Sequence, residues 1–216
     1  MDEWSREQAV DRVEQLLATI EAEPMPVPIR EVWVFGDLAL GLDPVDRLDI
    51  YLTKEILLTD DDGGEEFQET HGIEGVGQTV RTEWAREFPE YLRANPNGYA
   101  APERCLAAHL LDGEEPIHLE VCNTGFENNV TQRLAGAQAR DNFEELLDPR
   151  GVCLYLDGQR SPDAFEKLRN GEYVFPPLSG AFEMLSLEAA EAERAAEAVQ
   201  RFREQQDGVS VRGDVV

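Results

Sequence analysis

Lysine is almost absent from this chain: Lys54 and Lys167 are the only two among 216 residues, and arginine supplies every other basic side chain. Basic residues as a class are scarce, 19 against 45 acidic ones, which leaves a formal net charge of -26. With so large an anionic excess, nucleic acid is not an expected partner. Long apolar runs are missing as well. No stretch approaches the roughly 18–20 residues of a membrane-spanning helix. The opening Met1-Asp2-Glu3-Trp4-Ser5 is acidic and lacks the basic-then-apolar order of a secretion signal. A cytoplasmic protein without a membrane partner is expected. Cysteine is limited to Cys105, Cys122 and Cys153, odd in number and without a CxxC pair, so no disulfide framework is expected.

The acidic residues are spread along the whole chain instead of gathering in one tail. That distribution resembles the proteins of salt-in halophiles, a haloarchaeon above all. In roughly molar salt the Debye length falls to about 3 Å, so carboxylate repulsion is screened, while the charge keeps the surface hydrated. An acidic decoy for a basic partner would concentrate its charge, which this chain does not do.

Ser5 and Gln8 form a capping-box signal, and Val10, Val13, Leu16, Leu17 and Ile20 continue at helical spacing, which predicts a helix over 5–22. Pro24, Pro26 and Pro28 end it. Strands are predicted at 31–36, 47–54, 116–122 and 152–156. Between them, 59–72 reads as a solvated acidic loop, 78–93 as a helix, 95–98 as a turn and 102–111 as a helix opened by Pro102. Helices are predicted at 127–147 and at 162–169, the latter started by Ser161-Pro162-Asp163 and stopped by Gly171. A last helix is expected at 186–206, with Leu187, Ala192, Ala195, Val199 and Phe202 on one face, followed by a frayed end. The order predicts an α+β fold: one domain over 1–182 with a mixed sheet and helices on one main face, a C-terminal helix over 183–206, and a flexible tail over 207–216. The C-terminal helix packs on the domain or offers a face to a protein partner.

The richest stretch runs from Glu31 to Leu52, Glu-Val-Trp-Val-Phe-Gly-Asp-Leu-Ala-Leu-Gly-Leu-Asp-Pro-Val-Asp-Arg-Leu-Asp-Ile-Tyr-Leu. A strand ends at Gly36, a second glycine follows at Gly41, and the next strand carries Asp49 on the face opposite Leu48, Ile50 and Leu52. In the third strand His118, Glu120 and Cys122 oppose Ile117, Leu119 and Val121, so Asp49 and Glu120 share a polar face if the two strands are neighbours. This resembles the nucleotidyltransferase superfamily of the DNA polymerase beta type, including its minimal members. The resemblance covers about residues 8–54 well, with the core reaching to about 125. It implies a nucleotide-binding turn at Gly36, Asp37 and Gly41, and magnesium ligands at Asp49 and Glu120, with Asp46 as the third carboxylate. A hard dication needs such clustered oxygens to offset its dehydration. The whole chain also resembles a haloarchaeal family of unassigned function.

Against that frame, Asp37 stands where the family has a phosphate-contacting serine, and Arg47 where it has its first aspartate. Asp46 and Asp49 are three apart, so a regular strand turns them to opposite faces unless a bulge intervenes. All three changes weaken binding of a metal and a triphosphate. The expectation is a nucleotidyltransferase-like fold that has lost its chemistry and serves binding or regulation, with no cofactor. A working magnesium-dependent nucleotidyltransferase is the alternative, and a structural subunit of a larger assembly the second. Gly72-x-x-Gly75-x-Gly77 reads as a flexible turn, His109, His118 and Glu120 match no zinc spacing, and Cys122 and Cys153 read as small buried hydrophobes. Trp33 and Phe35, facing away from Val32 and Val34, predict a first strand covered on both sides.

Overall fold

The computed structural model describes residues 4–23, 25, 27–54, 73–76, 79–82, 99–112 and 115–214. Helix α1 (Arg6–Ala22) is opened by Ser5, whose hydroxyl accepts from the Gln8 amide at 3.2 Å while Gln8 Oε1 accepts from the Ser5 amide at 2.8 Å. Both halves of the capping box are therefore made. Val10, Val13, Leu16 and Leu17 along one side of α1 are buried.

Strand β1 (Ile29–Phe35) runs antiparallel to β2 (Leu48–Lys54), and the turn between them holds a single helical turn, α2 (Gly36–Ala39). Gly36 and Gly41 bracket α2 at φ +65° and +71°, the left-handed region where glycine carries no Cβ penalty. Beyond β2 come the short strands β3 (Ile73–Val76), β4 (Thr79–Thr82) and β5 (Tyr99–Ala100), which form a small antiparallel sheet of their own. The helix predicted over 78–93 is thus replaced by a strand at 79–82, and Gly75 pairs with Val80 across a ladder. Short alternation within a β-rich stretch outweighed the helical spacing. The rest of that helix, the 59–72 loop, the 95–98 turn, Gly72 and Gly77 lie outside the described residues.

Helix α3 (Pro102–Leu110), strand β6 (Ile117–Cys122), helix α4 (Phe126–Arg140), strand β7 (Val152–Leu156) and the two-residue β8 (Gln159–Arg160) follow. Helix α4 stops seven residues short of its predicted end, at Asp141, which takes a left-handed φ of 49°. Helix α5 (Pro162–Asn170) ends at Gly171, φ +65°, as predicted for a glycine just past a helix. The C-terminal helix is two pieces: α6 (Leu178–Met184), which the prolines at 176 and 177 had hidden, and α7 (Ala189–Glu204), separated by Ser186 at φ 75°.

The expected frayed end is instead a strand. β9 (Ser210–Arg212) adds to the main sheet, whose order is β8-β7-β1-β2-β6-β9. The pairs β2–β6 and β6–β9 are parallel and the others antiparallel, so the sheet is mixed. Both of its faces are covered, not one. Val32, Val34, Ile50, Leu52, Leu119 and Val121 pack into the larger apolar core with residues of α1, α3 and α5. Phe35, Tyr51 and Cys122 face the other way and meet Phe126 and Val130 of α4. Trp33 stacks on Phe126 there, with ring centroids 4.8 Å apart. Every residue of β2 is buried, as a strand covered on both sides requires. Ala192, Ala195, Ala198 and Val199 of α7 are buried against Phe182 of α6 and Leu134 of α4. The apolar face of α7 is therefore buried within the chain.

Among the described residues no helix is long and apolar enough to cross a membrane.

Candidate functional site

Parallel pairing sets Asp49 beside His118 and Tyr51 beside Glu120, so strand alternation puts all four on the sheet face covered by α4 and α7. Two of the three predicted carboxylates thus share a face. Asp46 does not join them: β2 is regular from Leu48, no bulge lies near Arg47, and Asp46 is exposed while Asp49 is 1% exposed.

Asp49 lies against the turn that precedes it. A Cβ on Gly36 would come within 2.2 Å of Asp49 Oδ2, so only glycine fits between the turn and the carboxylate. Gly41 packs less tightly, on another backbone, with Gly171 Cα 3.3 Å from where its Cβ would stand. The two glycines serve packing of the hairpin turn. Asp37 is buried at the start of α2.

Each carboxylate is held by arginine. Arg203, from the last turn of α7, reaches Asp37 at 2.8 Å and Asp49 at 3.2 Å. Arg47 lies 3.9 Å from the other Asp49 oxygen. Glu120, fully buried, is contacted by Arg212 of β9, by Arg133 of α4 at 3.1 Å and by His118 Nε2 at 3.0 Å. His118 Nδ1 meets Ser210 Oγ at 2.6 Å, and Arg47 Nη2 donates to the same hydroxyl at 3.2 Å. Phe202 closes the group, edge-on to the His118 ring at 5.4 Å and beneath the Arg212 guanidinium at 4.1 Å. Tyr51 donates its hydroxyl to the Thr124 carbonyl at 2.5 Å.

Four guanidinium groups therefore face three carboxylates in a protein whose net charge is -26. The electrostatic consequences differ between the two candidate ligands. Burial pushes the Asp49 carboxyl up to about 6, against the opposing pull of Arg203, His118 and Arg47. Burial works in the same direction on Glu120, but there the hydrogen bond from His118 and the charges of Arg212 and Arg133 prevail, holding it down to about 2. Burial also raises Tyr51, Cys122 (to about 11) and Cys105 (to about 12), so these are neutral at physiological pH and poor nucleophiles.

A magnesium ion does not fit this set. It would need several anionic oxygens free of other cations, whereas both Glu120 oxygens are held by arginine or histidine, Asp49 Oδ1 lies 3.9 Å from Arg47, and Asp49 Oδ2, though it accepts no hydrogen bond, lies 3.2 Å from Arg203. The cleft bounded by Phe35, Asp49, His118, Glu120, Phe202 and Arg203 has room for about one water. Among the described residues, no three His, Cys, Asp or Glu side chains are grouped to hold a metal. His109 lies on α3, whose buried side chains join the core on the opposite sheet face, and faces Glu23 at 3.3 Å, away from His118.

Sequence reasoning located Asp49, His118 and Glu120 on one face and Arg47 as a cation beside Asp49, but missed the other groups that neutralise them. Arg133, Arg203 and Arg212 carry one signal, that basic side chains are rare here, whereas Ser210 carries none. A second polar knot was also missed. Glu31 Oε2 accepts from Trp33 Nε1 at 3.0 Å, Thr53 Oγ1 at 3.1 Å and the Phe126 amide at 3.2 Å, tying the first turn of α4 to β1 and β2.

No curated protein and no solved structure matches the chain significantly. A family of unknown function, DUF7095, is matched over residues 5–216, and the chain belongs to that family.

Proposed function

We propose that this protein is a binding or regulatory module on a degenerate nucleotidyltransferase-like core. One observation carries the reading: the two positions that would ligate magnesium are buried on the same face of neighbouring strands, yet each is met by arginine. The antiparallel hairpin with its glycine-bracketed turn, followed by a carboxylate strand parallel to a second carboxylate strand, supports the resemblance to that core. Guanidinium groups supply the positive charge that a metal would otherwise bring, which holds the fold together without providing an open coordination position. The same reading takes the protein as a cytoplasmic component of a salt-in cell, on the strength of its dispersed acidic charge.

The test is titration with Mg²⁺ or Mn²⁺, with and without a nucleoside triphosphate, in molar KCl. The expected result is no metal-dependent nucleotide binding. Binding that Asp49→Ala abolishes would overturn the degenerate reading in favour of a working nucleotidyltransferase. Sizing in the same salt tests the reading as a subunit of a larger assembly. With the α7 face buried inside the chain, a monomer is expected.

A further inference from the structure

After α7 the chain crosses the site and pairs along β6 at the sheet edge, and most of the buried polar groups along its path are tied to it. Arg47 donates to the Gly208 carbonyl and to Ser210 Oγ, both at 3.2 Å. His118 meets Ser210 Oγ, and Arg212 meets Glu120. Asp214 pairs with Lys54 at 2.8 Å and accepts from the Asn123 amide at 2.9 Å. Beneath this segment Arg47, Lys54, His118 and Glu120 are all under 9% exposed.

The segment itself is held by polar contacts, above all Arg212 on Glu120, more than by apolar burial. No residue from 205 to 214 is fully buried, its strand is three residues long, and its apolar contribution is two partly buried valines, Val209 and Val211, against the core. Segments with few buried apolar contacts and exposed backbone bonds open at the lowest free-energy cost. Departure of residues 205–214 would uncover the backbone edge of β6 together with Glu120, which seats a guanidinium, and Lys54 with the Asn123 amide, which seat a carboxylate two residues further on.

We propose that residues 205–214 are a displaceable strap, and that the groove beneath them docks an extended peptide of a partner protein carrying an Arg-x-Asp pattern. The peptide would replace the strap by adding a parallel strand to β6. The strap's own Arg212-Gly213-Asp214 shows the complementary pattern in place. This rests on reading the site as one for binding and not for catalysis.

The experiment titrates a fluorescent synthetic peptide of residues 205–214 onto the full chain in molar KCl. It uses the unaltered protein and a strap-weakened Val211→Ser/Asp214→Ala variant. Apparent affinity scales with the open fraction, so the variant should bind the peptide at least about tenfold more tightly. A peptide with the arginine replaced by glutamate should not bind. Equal binding of both peptides, or no gain in a variant whose 117–122 amides exchange faster, would overturn the proposal. Native-state hydrogen exchange of the unaltered chain gives a second readout. Exchange of the 210–212 amides only through global unfolding would also overturn it, whether or not the variant folds. Metal-dependent triphosphate binding by the unaltered chain would instead remove the degenerate-site reading, an outcome that the peptide titration does not produce.

Discussion

Glu120 is the residue on which the polar face depends most. Its carboxylate is the shared counter-charge of Arg133 and Arg212, both of them largely withdrawn from water. Glu120→Gln preserves the shape but leaves two guanidinium groups without that charge. Removing one partner of a buried pair typically costs about 3–5 kcal/mol, and denaturant melts of the two proteins in the same salt should differ by that order. Asp49 behaves oppositely with pH. Its carboxyl is raised from 3.8 to about 6 on folding, so the folded state holds the proton more tightly and Asp49 reduces stability as pH rises through that interval. Glu120 is lowered from 4.5 to about 2, so its contribution is complete above about pH 4.5 and is lost as pH falls towards 2. Melts across pH should therefore show Asp49→Asn removing a loss of stability between about pH 4 and 6, while the steep acid limb below pH 4.5 survives. An unchanged slope in that interval would contradict the assignment.

Among the elements, α7 packs through small side chains. Four of its alanines are buried, two of them without measurable exposure, so the helix approaches its neighbours nearer than a larger side chain permits. Ala195→Leu should overpack this layer and cost about 1–3 kcal/mol, read as a shift in unfolding midpoint. Glu193→Gln, on the exposed side of the same helix, should change stability by less than about 0.5 kcal/mol. Most elements were legible in the sequence because their signals are local. The capping box began α1, strand alternation placed Asp49 and Glu120 on one side, and Pro162 and Gly171 bounded α5. The unpredicted elements are those whose existence depends on a distant surface. β9 is three partly buried residues, too short to carry a strand pattern of its own, and it exists because β6 offers an unpaired edge. The short strand β4 likewise takes its form from pairing with β3 and β5.

At the scale of the whole molecule, charge dominates. A net charge of -26 on one small chain is strongly self-repelling in dilute buffer and screened in molar salt. The unfolding midpoint should rise markedly between dilute buffer and molar KCl, and equal midpoints would remove the halophilic reading. The internal arginine–carboxylate pairs should respond much less to salt than the surface does, because burial shields them from mobile ions.

The amino-acid sequence by itself determined the α+β class, the hairpin with its two glycines, the shared face of Asp49 and Glu120, and the anionic surface. These follow from residue type and from periodicities of two and 3.6, which act over a few neighbouring positions. Only the tertiary structure decided what meets those carboxylates. Arg212 lies 92 positions from Glu120, and Arg203 lies 166 from Asp37. Pairings at such separations leave no periodic trace in the chain. They arise when the last helix and strand close over the sheet, and that closure turned a candidate metal site into an arginine-bound one.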